Sequence, residues 1–400
     1  MTQNTQLISS CDPGRHGHVI KTKEDFLMDL SFSDEQNMLR DSADRFVLEN
    51  CGAENLRNTR DTEDGFSRDY WNQFAELGWL ALPFSEEQGG LGGTPVDTMV
   101  LMESFGKGLV LEPFFATVIL AGGVLRQLDE CPLIEPLVEG GLLMSVAYAE
   151  PQSRYDLFDV ATTAEKSGDG YTLNGHKAVV IHGEAADKLI VSARTSGDTR
   201  DEAGISLFLI NGDAEGVERR GYPTVDGSRA AEVILNNVQV GADALIGEEG
   251  NGLAILEKAV DEAIAALCAE AVGAMKVLVD TTVEYCKTRE QFGQPISQFQ
   301  VLRHRMADMM MEYEQAKSLA LVAALKVHSD DPVEARKAVS GAKVQIGKSG
   351  KFVGQQAVQL HGGMGMTDEL SVGHYFKRLT MIDVMLGNMD HHLKRFSKAA

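Results

Sequence analysis

The chain has 400 residues, 44% of them apolar and 24% charged, and 37 Lys and Arg against 59 Asp and Glu leave a net charge of −22. This composition belongs to a globular chain long enough for two or three domains, and its acidity argues against DNA, RNA or an anionic membrane as the main partner. Five Cys, at 11, 51, 131, 268 and 286, form no CxxC pair, which speaks against a disulfide scaffold or a zinc ribbon and fits a reducing cytoplasm.

Residues 1–28 are polar and charged and lack the apolar run of a signal peptide, so they read as a flexible extension, with an alternative start at Met28. No uncharged apolar stretch reaches the roughly 18 residues a membrane span needs. From Ser31 the pattern turns helical. Phe32, Leu39, Ala43, Phe46 and Val47 share a face, and Ser33 with Gln36 forms a capping-box signature. Further helices are expected over 67–80 and 94–107, with the Gly-rich PFSEEQGGLGG between them and a mostly helical, apolar 108–145 after them. Residues 29–145 thus form an N-terminal all-α domain.

Composition changes at about 146. Short β-branched runs such as YTLNGHKAVVIHG, DKLIVSART, ISLFLING and AEVILNNVQV are separated by NG and DG turns, which predicts an antiparallel β-barrel domain over 146–248. From 249 to 400 the helical period returns, over 253–288, 298–328, 332–360 and 369–396, and Gly362, Gly363 and Gly365 stop the third helix. Four long helices with short joins read as a four-helix bundle. The fold class is therefore α+β multidomain, with a barrel between two helical domains.

Two loops of the bundle carry the chemistry. Arg289, Gln291 and Phe292, followed by Gly293 and Pro295, offer a guanidinium for a pyrophosphate and a face for a flat ring; the bland alternative is a helix connection with a solvated Arg. The passage from Gln356 to Thr367 contains Gly362, Gly363 and Gly365, which either cap a helix or let backbone N–H groups approach a ligand. No metal is expected, since His176, His182, His391 and His392 lack ligand spacing. The sixteen Met, including Met309–Met311, read as core filler, and neither GxSxG nor GxGxxG is present.

With DLSFSDEQNMLRDSADRF, FAELGWLALPFSEEQGGLGG, TREQFGQPISQFQVLRHRMADM and QAVQLHGGMGMTDELSVGHYFKRLTMID, the chain resembles the acyl-CoA dehydrogenase family from about 29 to 396. Within that family it is most similar to the small subunit of the pimeloyl-CoA dehydrogenase type. The resemblance implies FAD-dependent α,β-dehydrogenation of an acyl-CoA thioester, in which a carboxylate takes the α-proton while a hydride leaves Cβ for the flavin. It also implies a tetramer with FAD shared between subunits and an electron-transfer flavoprotein as acceptor. By the same resemblance Arg289, Gln291 and Phe292 hold the ADP end. Gln359, His361, Gly362 and Gly363 close over it, and Ile296, Phe299 and Gln300 line it. Tyr148, Ala149, Ile181 and Asn388 complete the cofactor set.

The departures sharpen the reading. At the family's usual base position stands Leu386, and at the alternative position, 26 residues before Arg289, stands Ala263. Glu262 and its neighbour Asp261, together with Asp383 and Asp390, remain as displaced candidates. On the flavin side, Ala149 and Ile181 replace hydroxyl donors and Val179 replaces a Trp. Three readings follow: a small subunit that lends its ADP-binding half to a large subunit, a self-sufficient homo-oligomer with a relocated base, and a non-catalytic binding subunit.

Overall fold

The computed structural model describes residues 31–399, so the extension expected over 1–28 lies outside the described residues. The first helices are α1 (Asp34–Asn50), α2 (Ala53–Arg60), α3 (Arg68–Glu76) and α4 (Pro95–Gly108). Ser33 and Gln36 cap α1 reciprocally, as their spacing requires, and Thr94 and Asp97 do the same for α4 with Pro95 in its first turn. A π-helical stretch, Phe115–Ala121, runs into α5 (Gly122–Leu125), and α6 (Ile134–Val138) follows. The core of this layer is aromatic. Phe74 stacks on Phe105 with ring centroids 5.0 Å apart, and Phe46, Trp79 and Phe114 meet these rings edge-on or tilted.

The middle strands are β1 (Met144–Ala147), β2 (Thr163–Ser167), β3 (Gly170–Ile181), β4 (Lys188–Arg194), β5 (Ile205–Asn211), β6 (Val217–Pro223), β7 (Arg229–Gly241) and β8 (Leu245–Ile246). They form one sheet in the order β6-β7-β3-β2-β4-β5-β8, with β1 added on β4. The arrangement departs from a purely antiparallel barrel. The strand path has two ends, β6 and β8, and both β1 and β2 pair with β4 in parallel. The reason is an excursion over 148–162: β1 covers Lys188–Val191, the chain loops out, and β2 returns at Arg194 on the same strand.

Glu150 ties down the base of that excursion. Its carboxylate accepts from the backbone N–H groups of Ala161 (2.8 Å) and Thr162 (3.1 Å) and from the fully buried Lys177 ammonium (2.6 Å). Burial alone would raise its pKa, but Lys177, with hydrogen bonds from Gln152 and Thr162, brings it down to about 2.

The C-terminal helices are α7 (Gly252–Thr288), α8 (Gln300–Lys326), α9 (Pro332–His361), α10 (Ser371–Val384) and α11 (Met389–Lys398). None of the described helices is long and apolar enough to cross a membrane. At 37 residues α7 is about 55 Å long. It crosses α4 at backbone contact: a Cβ on Gly106 would lie 1.9 Å from the Glu270 carbonyl oxygen, and one on Gly273 would lie 1.9 Å from that of Glu103. Of the three consecutive Met expected in the core, only Met309 is buried, because a helix turns neighbouring side chains apart by about 100°.

The single last helix expected over 369–396 is broken. Leu386 adopts φ 55° and Gly387 φ 108°, which no helix sustains, and Asn388 then caps α11 by accepting from the His391 N–H. Lys343 of α9 stabilises the break from beneath. Its buried ammonium donates to the carbonyls of Ile382 (2.6 Å), Asp383 (2.9 Å) and Gly387 (2.9 Å), which the helix end leaves without partners.

Candidate functional site

Helix α7 ends at Arg289 in a short hairpin, β9 (Glu290–Gln291) against β10 (Gln294–Pro295). Its turn residues Phe292 and Gly293 both have positive φ, 55° and 77°, as a two-residue hairpin with the sheet's twist requires. The turn thrusts Phe292 outward, 91% exposed, with the edge of Phe299 as its ring neighbour. Arg289 and Gln291 are exposed, Ile296 and Phe299 half-buried, and Gln300 exposed at the start of α8. Arg289 has no acidic partner among the described residues.

The end of α9 lies against the last turns of α7, just before this hairpin, through a contact that the sequence does not signal. The His361 ring stacks on Tyr285, with centroids 4.3 Å apart, one turn of α7 before Arg289. His361 Nδ1 donates to the Ala357 carbonyl at 2.8 Å, which leaves Nε2 as a buried acceptor with no partner. Burial lowers its pKa and keeps the ring neutral. Gln359 is exposed, and beyond it Gly362 and Gly363 face open space: a Cβ on either would meet nothing within 4 Å. An unpaired guanidinium, an exposed aromatic and a bare glycine backbone are what a nucleotide diphosphate needs, so the ADP end fits these residues.

The other end differs. The Ser145 hydroxyl donates to the Ile181 carbonyl (2.7 Å), and the Ala178 N–H donates to Ala149 (2.8 Å), so the strand ends carrying Tyr148, Ala149 and Ile181 are neighbours. Here neither the Ala149 nor the Ile181 side chain offers a hydroxyl for a flavin. A register shift between Lys177 and Val180 ejects Val179 from the β3–β7 ladder into a left-handed conformation, 52% exposed. Val179, Ile181 and His182 line a cavity with Phe115, Met381 and Met385. His182 is neutral, since burial and the neighbouring Arg378 bring its pKa down to about 4, and its Nδ1 has no partner.

Three further charges at this cavity were not singled out in the sequence, because they come from three separate elements. Arg378 of α10 donates to Glu270 of α7 (2.5 and 2.8 Å) and to Asp226 of the β6–β7 turn (2.6 Å); both carboxylates are buried and the Arg378 side chain is only partly exposed. A fourth group on the cavity wall, Glu112, accepts from the Ser67 N–H at 3.2 Å, and burial pushes its pKa up to about 7. The flavin end therefore fits the ring less well than the ADP end fits its nucleotide.

Leu386 lines a second cavity, of about 260 Å³, together with Val260, Ile264, Tyr155 and the polar face of α11. The displaced candidates are engaged elsewhere. Glu262 accepts from Arg126 and from His328 (2.8 Å), and although burial opposes its charge these partners hold its carboxyl below the ordinary range. Asp261 is bound bidentately by Arg395, at 2.6 and 2.8 Å. One oxygen of Asp383 is buried without a partner and lies against Gly347 of α9, while Asp390 is exposed in the first turn of α11. Ala263 is wholly buried. None of the four acids lines the Leu386 cavity.

Three profiles of one family match the chain: the acyl-CoA dehydrogenase N-terminal domain over 33–127, the middle domain over 145–238 and the C-terminal domain over 250–400. A probable acyl-CoA dehydrogenase, YngJ of Bacillus subtilis, is 29% identical over 377 residues, which is 91% of this chain and 97% of that one. The ChsE4-ChsE5 complex from Mycobacterium tuberculosis superposes with a TM-score of 0.84 at 25% identity, covering 93% of this chain and 98% of that one. The FAD complex of PigA gives 0.85 at 27%, with 93% and 98% covered. The chain belongs to the acyl-CoA dehydrogenase family of flavin-linked oxidoreductases.

Proposed function

We propose that the chain is the base-lacking small subunit of a heteromeric, cytoplasmic acyl-CoA dehydrogenase, of the type that serves pimeloyl-CoA. The observation that carries this reading is the pairing of Leu386 at the corner between α10 and α11 with the engagement of Glu262 and Asp261 in ion pairs elsewhere. A base for an α-proton must reach its carbon and be free to accept. Neither Leu386 nor Ala263 has a proton acceptor in its side chain.

FAD, when bound, would supply the hydride acceptor. Arg289 would pair with its pyrophosphate, Phe292 would cover a flat ring, and the backbone at Gly362 and Gly363 would approach the ADP end, with Gln291, Gln359, Ile296, Phe299 and Gln300 around it. On the flavin side Ala149 and Ile181 offer only backbone groups. The chain would thus lend a cationic, aromatic grip to a cofactor whose ring reacts in the large subunit, which also supplies the catalytic Glu. The two-component name of ChsE4-ChsE5 supports such a partnership. An electron-transfer flavoprotein is the acceptor this reading expects.

The test is co-purification with a large subunit, followed by flavin counting and an acyl-CoA oxidation assay. Activity only in the complex is expected, and it should fall when Arg289 is replaced. Stoichiometric FAD and turnover by the isolated chain would overturn the reading. Glu112 favours that second reading, a self-sufficient homo-oligomer, because its pKa near 7 suits a general base; Glu112→Gln would then abolish the turnover.

A further inference from the structure

The loop after α9 has little of its own to hold it. It runs through Gly362, Gly363, Met364, Gly365 and Met366, with Gly362 at φ 63°, both methionines exposed and only Gly365 buried. Glycine loses more backbone freedom on ordering than any other residue, so a loop of this composition needs anchors from outside. One anchor precedes it, the His361 ring stacked on Tyr285. The other follows it, where α2 of the N-terminal domain reaches across from 308 residues away in sequence. Arg60 pairs with both oxygens of the Asp368 carboxylate (3.1 and 3.4 Å), and Arg57 donates to the carbonyls of Asp368 (2.9 Å) and Glu369 (3.3 Å). His374 of α10 donates to the same Asp368 carbonyl at 2.9 Å. Arg57 and Arg60 lie three apart in the last turn of α2, which the buried Leu56 seats in the core.

We propose that Arg57 and Arg60 are positioning residues for the cofactor: they hold Asp368 and Glu369 so that the backbone at Gly362 and Gly363 is ordered before the ADP end arrives. The inference rests on the reading that this loop grips ADP, and it holds for a homomeric or a heteromeric enzyme alike. Both arginines act through the loop, where ordering in advance removes an entropic cost that binding would otherwise meet. Their demands differ. Arg60 needs an acid at 368, whereas Arg57 needs only main-chain oxygens, which a lysine can also serve, as Lys343 does at the end of α10. The Arg60 and Asp368 side chains are 27% and 50% exposed, so solvent weakens that ion pair and Arg57 carries the larger share.

Two measurements test this: FAD release on dilution of the loaded holoenzyme, and amide hydrogen exchange over residues 362–367 in the flavin-free full chain. In R57A/R60A, FAD affinity is expected to fall by about fivefold or more and the loop amides to exchange faster, with the melting curve of the flavin-free chain unshifted. Asp368→Asn, which keeps the carbonyls and removes the ion pair, should cost only about twofold to fourfold in affinity. Arg57→Lys should retain FAD where Arg57→Ala does not. Arg289→Ala is the control, with faster FAD release and unchanged loop exchange. Unless both readouts move in R57A/R60A, the positioning role is overturned. A lowered melting curve in R57A/R60A, with no retention of FAD by Arg57→Lys, makes the arginines merely structural and overturns it as well. Loss of FAD by Arg289→Ala in either case leaves the ADP grip standing; if Arg289→Ala releases FAD no faster than the wild type, the grip fails, and the positioning role with it.

Discussion

Replacing Arg378 by Met removes the only cation among the described residues that joins Glu270 to Asp226. The Glu270 and Asp226 side chains are 5% and 1% exposed and that of Arg378 12%, so solvent screens the cluster little. Three charge-assisted hydrogen bonds disappear, each worth about 1.5–3 kcal/mol, but the desolvation of Arg378 is recovered. Breaking a buried pair from one side leaves a net cost of about 3–5 kcal/mol, because two carboxylates remain without compensation. If the affected unit spans 150–250 residues, the melting temperature should fall by about 6–20 °C at pH 7.5. The triple variant R378M/E270Q/D226N should recover most of the loss. A shift under about 2 °C for Arg378→Met, or a triple variant no better than the single one, would refute the view that Arg378 compensates these charges.

Three other outcomes follow from the same geometry. Gly273→Ala should cost more than about 2 kcal/mol, read as a lowered melting temperature, since its Cβ would sit 1.9 Å from the Glu103 carbonyl oxygen and force α4 and α7 apart. Arg289→Ala should weaken FAD binding in the complex by about tenfold or more, measured by flavin release on dilution, and leave the melting temperature of the isolated chain unchanged. Stability should decline on acidification below pH 6.5. The folded-state pKa values of His182 and His392 are brought down to about 4 and about 3, mainly by burial, so the unfolded chain binds protons there that the folded chain refuses. The stabilisation is complete above 6.5 and is lost as pH falls towards those values, and His392→Gln should flatten the profile of melting temperature against pH.

The order of helices, strands and helices was legible because each period is local: residues three and four apart for Ala43, Phe46 and Val47, alternation for Leu173 and its ladder neighbours. The capping boxes at Ser33 and Thr94 occupy only four residues each, and the first was read directly. What stayed hidden depends on partners distant in sequence. The break at Leu386 is completed by Lys343, some 40 residues earlier, and no apolar period marks a lysine that fills a helix end. The parallel pairing of β1 and β2 with β4 follows from Glu150 closing an excursion, whereas turn signals alone suggested successive hairpins. In the site, the two bundle loops carried their own chemistry in Arg289 and the glycines. Tyr285 beneath His361 and the Arg378 cluster did not, because an ordinary Tyr, Arg or Glu acquires meaning only from what lies across from it.

Lys343 gives the corner at Leu386 a property that a bound water or ion would not. Its ammonium is tethered to α9, so the three carbonyls it serves cannot exchange their partner for solvent while the two helices stay in place. The corner and α9 therefore move as one body. The same helix ends, 18 residues on, at His361 and the open glycines. A ligand that shifts the glycine end along the axis of α9 would drag the far corner with it, and α9 then acts as a connecting rod between the nucleotide grip and the wall of the Leu386 cavity.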